Sequence, residues 1–152
     1  VTAVSNSLKN QTYEHFTIEK PIEVIYNFFV PQPELSETKP FKNRFVSNDE
    51  KLIVHSSNYR FVKRPKDVID IFLYIHKKVK SRLLLIGSGK GLDAIRQFVK
   101  QENIEKEVIF LGKSRHIDPY VARGDLFLLP SEQESFGLAA LEAMAYGLPV
   151  IA

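Results

Sequence analysis

Cysteine is absent from the 152 residues. That excludes disulfides and thiolate-bound metal, and it fits a reducing, cytoplasmic setting. Long apolar runs are absent too. None approaches the roughly 18 residues of a membrane-spanning helix, although 44% of the residues are hydrophobic, enough for a core. The opening VTAVS reads as a strand rather than a signal peptide, and no internal repeat or low-complexity segment is visible. The histidines His15, His55, His76 and His116 show no ligand spacing, so no metal site is expected. His55 falls in a strand pattern and reads as a core or shelf residue rather than a base. Neither the six-position dinucleotide fingerprint nor the P-loop spacing occurs, so Lys90 is not a Walker lysine. The net charge is only +3, which fits an anionic partner and ordinary solubility equally. A nucleic-acid partner would need a wider basic surface with interleaved aromatics, for which Tyr59 and Phe61 are too few.

What is present is an alternation of short apolar runs with helix-period stretches. Strands are predicted at 1–5, 22–29, 50–57, 81–87, 107–113, 125–131 and from 149 on. Helices are predicted at 6–16, capped by Ser5 or Asn6, at 65–80 with Val68, Phe72, Ile75 and Val79 on one face, at 92–104, and at 136–146. A short helix is predicted near 117–125, with Asp118 as N-cap and Pro119 at the first helical position. The stretch 30–45, rich in Pro and polar residues, reads as an irregular loop. The runs RLLLIG, VIFLG and LFLLP lack polar alternation, as strands buried on both faces do. The fold class is therefore α/β, a Rossmann-like parallel sheet with helices on both faces. The strand-like patterns at both ends are expected to belong to a longer protein.

In such sheets ligands bind beyond the carboxyl ends of the strands, so the candidates are the segments that follow strands. GSGKG (87–91), opened by Gly87, either lets the backbone approach an anion or is a tight turn that needs glycine. NYRFVKR (58–64) puts Arg60, Lys63 and Arg64 after a strand, where they suit a diphosphate or form a solvated basic loop. ESFGLAALE (134–142) is the sharpest element. Gly137 stands where a helix begins, and unpaired amides with a favourable dipole make an anion site there. Glu142 lies five residues on, about 7–8 Å along the axis at 1.5 Å per residue, a span that suits a sugar attached to a phosphate at the helix start. Glu134 precedes the helix, where it could face a second sugar. The alternative is that Glu134 is merely favoured by the dipole and Glu142 is exposed.

PSEQESFGLAALEAMAYGLPVIA resembles the retaining GT-B glycosyltransferases of the GT4 family, with Glu134 and Glu142 as the two acids of their E-x7-E motif. Upstream, RLLLIGSGKG resembles that family's strand and glycine turn, and VIFLGK resembles its strand that leads to the base pocket. VTAVSNSLKNQTYEHF and SSNYRFVKRPKDVI resemble its subgroup that joins N-acetylglucosamine to L-malate in bacillithiol synthesis. The resemblance implies that residues 1–152 are the C-terminal, donor-binding half of a GT-B fold and bind a UDP-sugar without a metal. It implies Arg60 and Lys63 on the diphosphate, and backbone amides of Ser135, Phe136, Gly137 and Leu138 on a phosphate. Glu142 would hold the ribose, Glu134 the donor sugar, and Gly112, Lys113 and Ser114 would border the uracil, with Gly87 in a neighbouring turn. Broader relatives carry their arginine further ahead of the lysine, which leaves room for another loop residue in that role. A small acceptor such as L-malate would be read by an N-terminal domain, so the fragment alone is expected to be inactive. A lipid or saccharide acceptor, a non-enzymatic nucleotide-binding module and a homo-oligomer remain open.

Overall fold

The computed structural model describes residues 1–32 and 45–152, so most of the expected loop at 30–45 lies outside the described residues. Five parallel strands form the main sheet: β3 (Lys51–Ser56), β4 (Ser81–Ile86), β5 (Val108–Gly112), β6 (Leu126–Leu128) and β7 (Val150–Ile151). Their order is β5-β4-β3-β6-β7. Leu52, Ile53 and Val54 in β3 and Leu83, Leu84, Leu85 and Ile86 in β4 are all buried, which is why these strands carry no polar alternation.

Alternate strand residues feed two cores. Ile53, Leu83 and Leu85 pack with Val68, Ile69 and Phe72 of α2 (Pro65–His76) and with Ile95 and Val99 of α3 (Leu92–Gln101). Leu52, Val54, Leu84 and Phe127 pack on the other face with Val121 of α4 (Asp118–Val121) and Ala143 of α5 (Leu138–Ala145). The expected α/β class, a parallel sheet with helices on both faces, is the observed one. No described helix is long and apolar enough to cross a membrane.

From β3 the chain winds outward through β4 to β5, then returns to lay β6 on the opposite side of β3. Connections therefore diverge between β3 and β6, and such a switch point opens a crevice at the carboxyl ends of the strands. Asp125 fixes the amino end of this pair. Its Oδ2 accepts the Leu52 N–H at 2.7 Å, and its own N–H donates to the Leu52 carbonyl at 2.7 Å.

Several elements are shorter than their patterns. β1 (Thr2–Ala3) and β2 (Glu23–Val24) pair only with each other, with α1 (Asn6–His15) between them. A two-residue partner cannot support the strand expected over 22–29, and Phe28 is 83% exposed. Helix α2 stops at His76, so Val79 falls beyond the helix and lies exposed rather than on its buried face. Ile117, not Asp118, is the N-cap of α4, which places Asp118 inside the helix. Ser5 caps α1 as expected.

The GSGKG loop explains its first glycine by packing. Gly87 has φ +119, and a Cβ there would lie 1.9 Å from the Ser57 carbonyl oxygen. The loop is drawn against the β3 loop, with the Gly91 N–H donating to the Tyr59 carbonyl at 3.1 Å. Gly87→Ala should therefore lower stability by at least about 2 kcal/mol, read as a shift of the urea unfolding midpoint. An unchanged midpoint would refute the close packing.

Candidate functional site

The two loops at the switch point face each other. After β3, Ser57 and Asn58 lead to Tyr59 in a left-handed conformation (φ 48) and to a single 3-10 turn, Phe61–Lys63. Arg64, also left-handed (φ 45), ends that turn and admits Pro65 as the first residue of α2. After β6, the chain runs through Glu132 and Glu134 to Gly137. The Glu132 N–H donates to the Val62 carbonyl at 2.9 Å, so the loops are stitched together through their backbones. Lys63 Nζ then reaches Glu134 Oε1 at 2.7 Å, with 18% and 28% of the two side chains exposed.

Between the loops lies a cleft of about 350 Å³. It is lined by Lys63, Glu134, Ser135, Phe136, Gly137 and Leu138, all singled out from the sequence, and also by Asn27, Ser57 and Asn58. Gly137 is the N-cap of α5 at φ +81, with no side chain capping the helix. A Cβ on Gly137 would meet nothing within 4 Å, so the helix start opens onto free space. Open amides, a helix dipole and a lysine on one cleft suit an anion, with Glu134 as the lysine's partner.

The amino-terminal segment braces this turn. Ser5 Oγ accepts the Leu8 N–H at 3.1 Å as the cap of α1 and donates to the Ser135 carbonyl at 2.7 Å. The Tyr26 and Phe136 rings lie 6.4 Å apart.

The other candidates lie elsewhere. Arg60 lines a larger hollow of about 1230 Å³ with Phe61, Arg64 and Lys90, on the side of α2 and α3. Gly112 ends β5 at an irregular register with β4, and its carbonyl accepts the Gly87 N–H at 2.8 Å. Lys113 is exposed, and Ser114 Oγ is engaged with the His116 backbone at 2.9 Å. Glu142 is half-buried on α5, and burial, then the nearby Asp118 carboxylate, raise its pKa. Tyr146 Oη donates to Asp118 at 3.0 Å and accepts the Gln32 N–H at 3.1 Å, closing residues near Phe29 over this end of α5. Among the described residues, no cluster of three or more His, Asp or Glu could hold a metal ion.

Asn27, Ser57 and Asn58 are the lining residues named above that charge-based reasoning passed over, Asn58 because the cations beside it dominate the segment. The signal for Asn58 was position, as the second residue after a buried strand. Its Oδ1 accepts the Arg60 N–H at 3.4 Å.

Comparison with known proteins gives this cleft a family. The model described as glycosyl transferases group 1 matches residues 36–152. The chain belongs to that family. N-acetyl-alpha-D-glucosaminyl L-malate synthase of Bacillus anthracis is 44% identical over 99% of this chain and 40% of that protein. An uncharacterized glycosyltransferase of Methanocaldococcus jannaschii is 31% identical over 99% of the chain and 41% of its own length. The chain thus spans about two fifths of the length of these relatives. The crystal structure of Anabaena Alr3699/HepE in complex with UDP and glucose superposes with a TM-score of 0.86 at 24% identity, covering all of this chain and 43% of that one. That likeness bears out the Rossmann-like half of a GT-B fold.

His55 beneath this cleft is fully buried. Burial lowers its pKa from 6.5 to about 4; the Leu128 carbonyl opposes the shift and the Lys63 charge adds to it. Above pH 6.5 the ring is neutral folded or unfolded and contributes nothing to the pH dependence. As pH falls from 6.5 to about 4, the unfolded chain takes up a proton that the folded one refuses, and stability falls by about 3 kcal/mol. Urea unfolding across that window should show the slope, and His55→Asn should flatten it. An equal slope in the variant would refute the assignment.

Proposed function

We propose that the chain is the donor-binding half of a retaining glycosyltransferase that moves N-acetylglucosamine from UDP to a small acceptor such as L-malate. The observation that carries this is the meeting of Lys63, Asn58 and the uncapped start of α5 on one cleft at the β3/β6 switch point, in a member of the group 1 family. The identity to the L-malate synthase over 99% of the chain supports the choice of sugar and acceptor.

In this scheme the diphosphate lies between Lys63 and the amides of Ser135–Leu138, with Arg60 on the neighbouring rim as a second cation. Glu142 accepts ribose hydroxyls, Gly112, Lys113 and Ser114 border the uracil, and Glu134 orients the transferred sugar. When the bond from the sugar to UDP breaks, charge accumulates on the β-phosphate, where the lysine and helix start stabilise it. The acceptor hydroxyl attacks from the same face and gives its proton to the departing phosphate, which retains configuration. Electrostatic help of this kind comes from the chain's own groups, and no metal is required. The acceptor is read by residues beyond this chain, which by itself binds donor and transfers nothing. A saccharide or lipid acceptor is the alternative within the same chemistry.

Calorimetric titration with UDP tests the site. UDP should bind equally well with or without a chelator. Lys63→Ala should weaken binding at least about tenfold, about 1.4 kcal/mol. Glu142→Ala should weaken UDP but leave inorganic pyrophosphate unchanged. Steeply salt-dependent oligonucleotide binding without UDP binding would overturn the proposal. In the whole protein, UDP release from UDP-N-acetylglucosamine should require L-malate, and release driven only by a lipid or saccharide would select the alternative.

A further inference from the structure

His55 is the one histidine buried in the sheet, and the scheme above gives it no task. Its Nδ1 lies 2.9 Å from the Leu128 carbonyl oxygen and its Nε2 lies 2.9 Å from Ser57 Oγ. A carbonyl can only accept, so Nδ1 carries the proton and Nε2 must accept. The Ser57 hydroxyl therefore donates to Nε2, and its oxygen accepts the Tyr59 N–H at 3.2 Å. Each hydrogen bond in this chain, from Leu128 through the imidazole and Ser57 to Tyr59, is left with a single direction. The Tyr59 ring meets the imidazole edge-on, with centroids 5.7 Å apart.

The ends of the chain are the two walls of the cleft. Leu128 closes β6 and leads to Leu129, Glu134 and the start of α5. Ser57 follows β3 and leads to Asn58 and Lys63. An asparagine reaches the Leu128 carbonyl but not the Ser57 hydroxyl, and an aliphatic residue reaches neither. A lysine or arginine would put a second positive charge close to Lys63.

We propose that His55 is a positioning residue whose imidazole, protonated at Nδ1 alone, ties the end of β6 to Ser57 and so holds the Ser57–Asn58 wall in register with the start of α5. The consequence for donor affinity rests on the donor-site proposal above. The strut itself does not, because its partners and its proton position can be observed without ligand.

Nitrogen NMR of histidine-labelled protein should show His55 with a pyrrole-type Nδ1 and a pyridine-type Nε2 at neutral pH. His55→Asn and Ser57→Ala should each speed amide exchange at Tyr59 at least tenfold and weaken UDP binding about tenfold, with an unchanged far-ultraviolet spectrum. The double variant should be no worse than either single one, since both cut the same chain. The reverse tautomer, wild-type Tyr59 exchange in His55→Asn, or additive losses in the double variant would each overturn the proposal. If His55→Asn does not fold, Ser57→Ala with the tautomer measurement decides. If the wild-type chain binds no UDP, the donor-site proposal fails, while the tautomer and Tyr59 exchange still decide the strut.

Discussion

The pairing of β3 with β6 is the contact on which the rest depends, because these strands are consecutive in space and far apart in sequence. Ile53 pairs with Leu126 and Val54 with Phe127. Asp125 secures the amino end through the Leu52 backbone and the Leu128 carbonyl secures the carboxyl end through His55. Between those fastenings the strands run only a few residues, yet they set the spacing of two loops that would otherwise be independent. Lys63 and Glu134 are 71 residues apart in the chain and 2.7 Å apart in space because of it.

The sheet was legible because burial on both faces leaves a plain mark, an unbroken apolar run, and the central strands carry it. The boundaries that misled are those set by partners rather than by local pattern. Residues 26–29 have strand-like composition, but the partner strand β1 ends at Ala3, whose carbonyl takes the Ile25 N–H. Val79 has the right spacing for α2, but the helix ends three residues before it.

The site divides in the same way. The turn at Gly137 was readable because a positive-φ glycine before an apolar helix has local causes. The approach of Lys63 to Glu134 was not, since strand order is written in no short window. The glycines after β4 had two readings from sequence. At Gly87 the Ser57 carbonyl occupies the space a side chain would need, and at Gly137 that space is empty. One glycine serves the packing of a loop, and the other leaves a surface open to a ligand.

The ion pair between Lys63 and Glu134 has a further consequence for selectivity. A cleft whose cation is already matched by an acid pulls on phosphate less strongly than the lysine and helix start would without that acid. An anion that captured Lys63 alone would strand Glu134, half-shielded from water, without a counter-charge. A molecule that offers phosphate oxygens to the lysine and hydroxyl donors to the glutamate in the same act relieves both groups at once. For the donor proposed above, the pair would therefore act as a preference rather than a barrier: a ligand carrying both kinds of group at the right separation would be favoured over one carrying either kind alone.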